Sequence, residues 1–248
     1  GEVVVHEALQ LEDLYQFEGQ ALKAPEGIED TLYKEMLGDE LNSTASTNPE
    51  TIDALAYYVG PVTREVVTDE SDKGHIKDIR PYVDRENKTV KSITEELTWD
   101  YGNGLFTINT PRTQGATGFL TSKDFIELDD VAIRSENKYG SVLVTSLNKQ
   151  PLATTKNLLI QLATHDKTYG FETRRKGEDW KEITELGGYP LNVRQVKGSV
   201  LIKRNDLSQV TVLDGNGYPT EREVETSTSS KGLHIELPED ALYLWVHP

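Results

Sequence analysis

The chain has 248 residues, close to the size at which a single hydrophobic core stops growing, so it accommodates one large β domain or a domain with a smaller appendage. Its 42 acidic residues outnumber 26 basic ones, for a formal charge of −16, and that field repels phosphate backbones and anionic headgroups alike, which argues against nucleic acid and membrane partners. With no cysteine, the chain has neither disulfides nor thiolate chemistry.

Hydrophobic residues make up 36% of the chain, enough apolar surface to offset the chain entropy that favours disorder. No apolar run approaches the roughly 18 residues that span a bilayer, and no basic start with an apolar core marks a signal peptide, so a soluble chain is expected. A neutral, hydroxyl-rich ligand such as a glycan carries no charge for the acidic field to repel. Asn42-Ser43-Thr44 and Asn87-Lys88-Thr89 fit the glycosylation pattern, a weak signal.

In chain order, residues 1–58 carry apolar positions at helical spacing in three short stretches, and the expectation is a small helical N-terminal segment. Ala8, Leu11, Leu14, Tyr15 and Phe17 share one face; Ile28 to Leu37 runs from after Pro25 to a closing Gly38; Asn48 and Pro49 open a third helix through Ile52, Leu55 and Tyr58. Residues 38–48 are rich in Ser, Thr and Asn and read as a surface loop. A segment of this size with three short helices does not bury a core alone, so it is expected to dock on something else.

From Val62 the pattern changes to short alternating runs separated by Gly, Asn, Asp and Pro about every 8 to 12 residues, which is the signal of a sandwich or barrel. Leu97 and Trp99 alternate with polar residues up to Asp100, Asn103-Gly104 tolerates positive φ, and Phe106 and Ile108 alternate after it, so 93–111 is expected to be a hairpin. Further strands are expected at 118–120, 125–128, 131–135, 141–147, 158–164, 191–193, 199–203, 209–213, 222–226, 233–237 and 241–246. The fold class is mainly β, an antiparallel β-sandwich of jelly-roll or immunoglobulin-like kind over 59–248, with a break between subdomains placed at 137–140. Helical patterns after residue 60 are too few for parallel βαβ units.

No serine sits in a Gly-x-Ser-x-Gly elbow, and His6, His75, His165, His234 and His247 never fall at metal-ligand spacing, so neither a nucleophilic triad nor a zinc site is indicated. Glycosidases use two carboxyl groups about 5 to 10 Å apart; Asp100 beside Trp99, and Glu178 and Asp179 before Trp180, resemble such pieces, and ordinary turn and loop roles explain them better. Calcium needs several hard oxygen ligands at one point. Asp69, Asp72, Asp214 and Asn216 are weak candidates, since neither of their turns completes a known calcium loop.

Sugar faces stack on exposed aromatic rings while neighbouring polar groups bond the hydroxyls. Residues 168–190 read as a long loop without clear strands, containing Tyr169, Phe171, Arg174, Arg175, Trp180 and Tyr189; a loop of that length is usually functional, and a lid packed on the body is the competing explanation. Tyr169, Phe171, Arg175, Trp180 and Tyr189 are the leading carbohydrate-binding candidates, with Arg112 and Gln114 after Pro111 as secondary ones. Trp99 and Trp245 alternate with polar or small residues and are expected to be buried.

The run Ser92-Ile93-Thr94-Glu95-Glu96-Leu97-Thr98-Trp99-Asp100, continuing through Ile108-Asn109-Thr110-Pro111-Arg112-Thr113-Gln114-Gly115, resembles a segment of large bacterial clan A glycoside hydrolases of the agarase and β-galactosidase-like kind. There it lies in the β-rich region that follows the catalytic TIM barrel. Residues 212–219 and 242–245 are similar to the closing strands of that region. One departure is Glu95, where the family pattern has glycine at a tight bend. The resemblance covers about 58–248 and implies a noncatalytic accessory β-sandwich that binds a polysaccharide or oligosaccharide or braces a catalytic TIM-barrel domain, in a secreted or periplasmic protein, with residues 1–58 as the tail of a preceding domain. No catalytic residue is carried over and no cofactor is implied, calcium aside. A complete β-sandwich glycosidase or polysaccharide lyase using Asp100, Glu178, Asp179 and Tyr189, or a structural interaction module, are the alternatives.

Overall fold

The structure, a computed structural model, describes residues 3–10, 53–67, 75–178 and 180–248. The chain forms two compact units, 1–102 and 103–248. The expected helix 28–37, the loop 38–48, most of the first helical stretch, the opening of the third up to Ile52, and Asp69, Asp72 and Asp179 lie outside the described residues.

In the first unit β1 (Val5–Gln10) runs parallel to β2 (Val62–Val67) and antiparallel to β3 (His75–Ile76). Ala8, expected on a helix, therefore lies in a strand. The β-branched run Val3-Val4-Val5 explains the difference, because such side chains fit a pleated strand better than a helix turn. The helix expected through Leu55 and Tyr58 is, in its described part, the single turn α1 (Ala56–Val59). After it come β4 (Val83–Asp84), β5 (Thr89–Lys91) and β6 (Leu97–Asp100), paired antiparallel in that order.

A core of Val4, Val5, Leu55, Ala56, Val59 and Val90 joins these pieces, with Trp99 and Tyr101 packed against it. Trp99 sits between the rings of Tyr58 and Tyr101, at 4.6 and 5.6 Å between centroids. Val4, Val5, Leu55, Ala56 and Val59 of the described N-terminal pieces are thus buried in one core with Val90, while Tyr58 is exposed.

The second unit is a β-sandwich. Its strands in chain order are β7 (Leu105–Asn109), β8 (Thr113–Gly118), β9 (Ile126–Glu127), β10 (Val131–Ser135), β11 (Gly140–Ser146), β12 (Leu158–Thr164), β13 (Asp166–Tyr169), β14 (Glu172–Arg175), β15 (Lys181–Glu185), β16 (Gly188–Val193), β17 (Gly198–Ile202), β18 (Gln209–Leu213), β19 (Pro219–Glu223), β20 (Thr226–Ser229), β21 (Gly232–Glu236) and β22 (Tyr243–His247). One sheet has the order β19-β18-β22-β12-β11-β8-β7 within this unit, and the facing five-stranded sheet has the order β20-β21-β17-β10-β9. Neighbours in both are antiparallel.

Alternation decides which residues fill the space between the sheets. Val142 and Val144, Leu158, Ile160 and Leu162, and Leu244 and Val246 from the large sheet meet Val131 and Ile133, Val200 and Ile202, and Leu233 and Ile235 from the small one. The strand expected at 118–120 ends instead at Gly118, and Leu120–Ser122 forms a short 3-10 turn whose Leu120 enters the core. Gly104, in the predicted turn, takes φ +65°, and a Cβ there would sit 2.6 Å from the Phe119 ring, so any other residue is strained and displaces that ring.

The sheets are also tied together by polar bonds. Arg204, after β17, donates through Nη1 to the carbonyls of Leu152 (2.6 Å) and Thr155 (2.8 Å), on the connection between β11 and β12. The same guanidinium pairs with Asp206 and holds that carboxyl below the usual range. Residues 137–140, the expected subdomain break, lie within the second unit, where the Asn137 side chain accepts from the Lys197 amide (2.7 Å) and donates to the Gln195 carbonyl (2.9 Å).

Candidate functional site

Between β12 and β17 the chain forms an arm of paired strands rather than the structureless loop expected at 168–190. In its lower half β13 pairs with β16, with Asp166 opposite Val193, Lys167 opposite Asn192 and Thr168 opposite Leu191. In its upper half β14 pairs with β15, with Thr173 opposite Ile183, Arg174 opposite Glu182 and Arg175 opposite Lys181. The halves meet where Gly170 (φ +76°) faces Gly187 (φ +66°); a Cβ on Gly187 would lie 2.2 Å from the Tyr169 carbonyl oxygen. Of these strands only 191–193, the end of β16, was expected; β14 and β15 escaped the sequence reading because Glu172-Thr173-Arg174-Arg175 and Lys181-Glu182-Ile183-Thr184-Glu185 carry charges on both faces, so no period of two in hydrophobicity marks them.

The arm gathers all five leading candidates. Tyr189 is 90% exposed, Tyr169 65% and Trp180 58%. Phe171 is half-buried, with the Lys167 ammonium 5.3 Å from its ring centroid, a cation–π contact that occupies one face of the ring. The Arg175 guanidinium is committed to the tip, donating to the carbonyls of Gly177 (3.0 Å) and Glu178 (3.1 Å). Arg174 pairs with Glu182 at 2.7 Å. Sequence reasoning missed the aliphatic residues: Ile183, Leu186, Leu191 and Val193 are all exposed on the same arm. Their spacing at 183, 186, 191 and 193 follows neither a helix nor a single strand, which is why no pattern announced them.

The secondary candidates separate. Arg112 is exposed on the β7–β8 connection. Gln114 is 1% exposed, and its amide is used in a clamp: Nε2 donates to Asp130 (2.9 Å) while Oε1 accepts from the Asp130 amide (2.8 Å). That side chain braces the β9–β10 turn and faces no ligand surface. At the calcium candidates, the Asp214 carboxylate accepts from the amides of Asn216 (2.8 Å) and Tyr218 (2.9 Å), which closes the turn between β18 and β19. Among the described residues no cluster of three or more His, Asp or Glu is arranged to hold a metal.

Of the acids named for a glycosidase, Asp100 is buried in β6 of the first unit and Glu178 is exposed at the arm tip in the second. Trp245, expected in the core, is on the outer face of the large sheet. Its neighbours Leu244 and Val246 point inward, so alternation turns the indole out. There it stacks on His247 at 3.9 Å, and Nε1 donates to Asn157 (3.2 Å). A polar groove of about 260 Å³ lies at the strand ends of the small sheet, where β10 ends, β17 begins and β21 ends, with Arg134, Glu136, Lys197, Glu236 and Glu239 on its walls; none of the candidates from sequence is part of it. The arm is therefore the feature that concentrates them. The chain matches no known family model, no curated protein and no solved structure.

Proposed function

We propose that this chain is a noncatalytic accessory β-sandwich of a carbohydrate-active enzyme, meeting a neutral glycan through its arm. The observation that carries the reading is the exposure of Tyr189, Trp180 and Tyr169 on one arm of paired strands. A two-stranded hairpin is marginal in water, so an arm that exposes three large rings fits a surface that is covered in use. Aromatic faces stack on the apolar side of a pyranose, and the acidic body leaves an uncharged ligand unopposed. The likeness of residues 92–115 to the β-rich region of clan A glycoside hydrolases supports the choice of ligand class.

Affinity electrophoresis through agarose, galactan, xylan and cellulose tests this. Retardation by at least one polysaccharide is expected, weakened about tenfold by Trp180→Ala or Tyr189→Ala, since each aromatic contact contributes roughly 1 kcal/mol. Free migration in every gel would refute glycan binding. The exposed aliphatics Ile183, Leu186, Leu191 and Val193 favour a second reading, in which the arm braces a catalytic barrel, because branched aliphatic groups pack against protein better than against sugar.

A further inference from the structure

Pairs of basic residues ending in arginine occur at two places in the sequence, Arg174-Arg175 and Lys203-Arg204, and the fold treats them oppositely. Lys203-Arg204 follows β17 inside the sandwich. The Lys203 amide donates to the Asp130 carbonyl (2.9 Å), and the Arg204 carbonyl accepts from the Leu233 amide (3.0 Å). The Arg204 side chain is 12% exposed and is committed to the carbonyls of Leu152 and Thr155. Backbone held from both sides in this way enters the extended binding groove of a protease only when the sandwich unfolds.

Arg174-Arg175 ends β14 in the upper half of the arm, and Lys176 extends the pair to three cations. All three are exposed, the Arg174 side chain at 73% and that of Lys176 at 70%. What holds this stretch is local: the pairing of β14 with β15, the bridge from Arg174 to Glu182, and the bonds from Arg175 to the Gly177 and Glu178 carbonyls. An exposed ion pair contributes little, and a lone two-stranded hairpin is marginal in water. No residue between 163 and 195 belongs to the sandwich core, so opening the upper half of the arm removes no core contact and costs far less than global unfolding. Exposed chain of this kind is where proteolytic nicking concentrates.

A cut at this point leaves the two pieces interleaved. Residues 1–175 contain β10 and β12, residues 176–248 contain β17 and β22, and β10 pairs with β17 while β12 pairs with β22. Each sheet therefore draws strands from both sides of the cut. Val131, Ile133 and Ile160 from one piece share a core with Val200, Ile202 and Leu244 from the other, and separating them would return that apolar surface to water. Arg204 adds a polar tie across the cut, to Leu152 and Thr155.

We infer that Arg174-Arg175 is a processing site, hydrolysed after Arg175 by an endoprotease that recognises paired basic residues, and that the product is a two-chain sandwich. Water adds across the Arg175–Lys176 peptide bond, leaving a carboxylate on Arg175 and an amino group on Lys176, and nothing else is consumed. The cut puts Tyr169 and Phe171 on one piece and Trp180 and Tyr189 on the other, so it divides the aromatic surface of the arm while sparing the sandwich. The inference does not rest on the glycan reading, which the gels test with uncut chain.

A subtilisin-type endoprotease specific for paired basic residues, added to the full folded chain, tests it. Mass spectrometry is expected to find a cut after Arg175 and none after Arg204. Native size exclusion should return both pieces in one peak at the volume of the uncut chain, with the thermal transition of the sandwich retained. Arg175→Gln should abolish the cut, and circular dichroism should show its sandwich intact because the side chain is exposed. Short pulses of protease in rising urea should add the cut after Arg204 only through the unfolding transition of the sandwich. A folded chain that resists cutting after Arg175, a cut after Arg204 that appears as early, or pieces that elute apart would each overturn the inference.

Discussion

Glu95 stands in the left-handed region, at φ +59°, in the bend between β5 and β6. The bend is held by bonds that do not involve its side chain: its amide donates to the Ser92 carbonyl (2.8 Å), and Ser92 Oγ accepts from the Leu97 amide (3.1 Å). A residue with a Cβ loses about 1–2 kcal/mol in that conformation relative to glycine. Glu95→Gly is therefore expected to stabilise the chain by about 1 kcal/mol, after allowing for the freedom glycine adds to the unfolded state, and to raise Tm by about 2–4 °C in calorimetry. The glutamate made a tight bend there less certain in the sequence, yet the chain bends at Glu95 all the same. That the glutamate keeps the bend under strain was not legible, since backbone dihedrals depend on the hydrogen bonds around them. Gln114 illustrates the same limit. Its identity fits a sugar ligand or a brace, and only its distance to Asp130 selects the brace.

At the scale of elements, strands with one buried face were legible, and those with none were not. The spans 131–135, 158–164 and 209–213 coincide with β10, β12 and β18, each of which alternates inward valine, leucine or isoleucine with outward residues. The strands β13 to β15 have no buried face and escaped, and of β16, exposed along its whole length, only 191–193 was expected. That same exposure makes the arm dispensable to folding. No residue between 163 and 195 belongs to the sandwich core, and the arm closes at its base, where the Arg194 amide donates to the His165 carbonyl at 2.9 Å. Replacing 166–193 by an Asn-Gly turn is expected to change the stability of the sandwich by no more than about 0.5 kcal/mol, measured by urea denaturation. A loss of several kcal/mol would show that the arm is a structural member rather than a contact surface.

At the scale of the molecule, the sandwich depends on few polar ties between its sheets, and Arg204 is one whose loss is readable. Its side chain is 12% exposed and bridges the exit of β17 to the Leu152 and Thr155 carbonyls. Arg204→Ala leaves both carbonyls without this donor, and a loss of about 2–3 kcal/mol is expected in urea denaturation. Arg204→Lys should recover less than half of it, because a single ammonium cannot reproduce the planar fork. The Asp206 carboxyl is held below its ordinary value in the folded chain, so its contribution is present above about pH 4 and fades as the pH falls through the lowered value. What could be read directly from residue order is the fold class and the inward face of the core strands β10, β12, β17, β18 and β21, since a period of two is a local property that burial imposes on each strand separately; β8 was not expected, and the strand expected at 222–226 straddles the gap between β19 and β20. Three-dimensional packing settled the rest: that Val5–Gln10 is a strand beside Val62–Val67, that Trp245 faces outward, that Gln114 is a brace, and that the aromatic stretch is a paired arm with an open edge. These depend on contacts between residues distant in the chain, and no local period encodes a partner that lies tens of residues away.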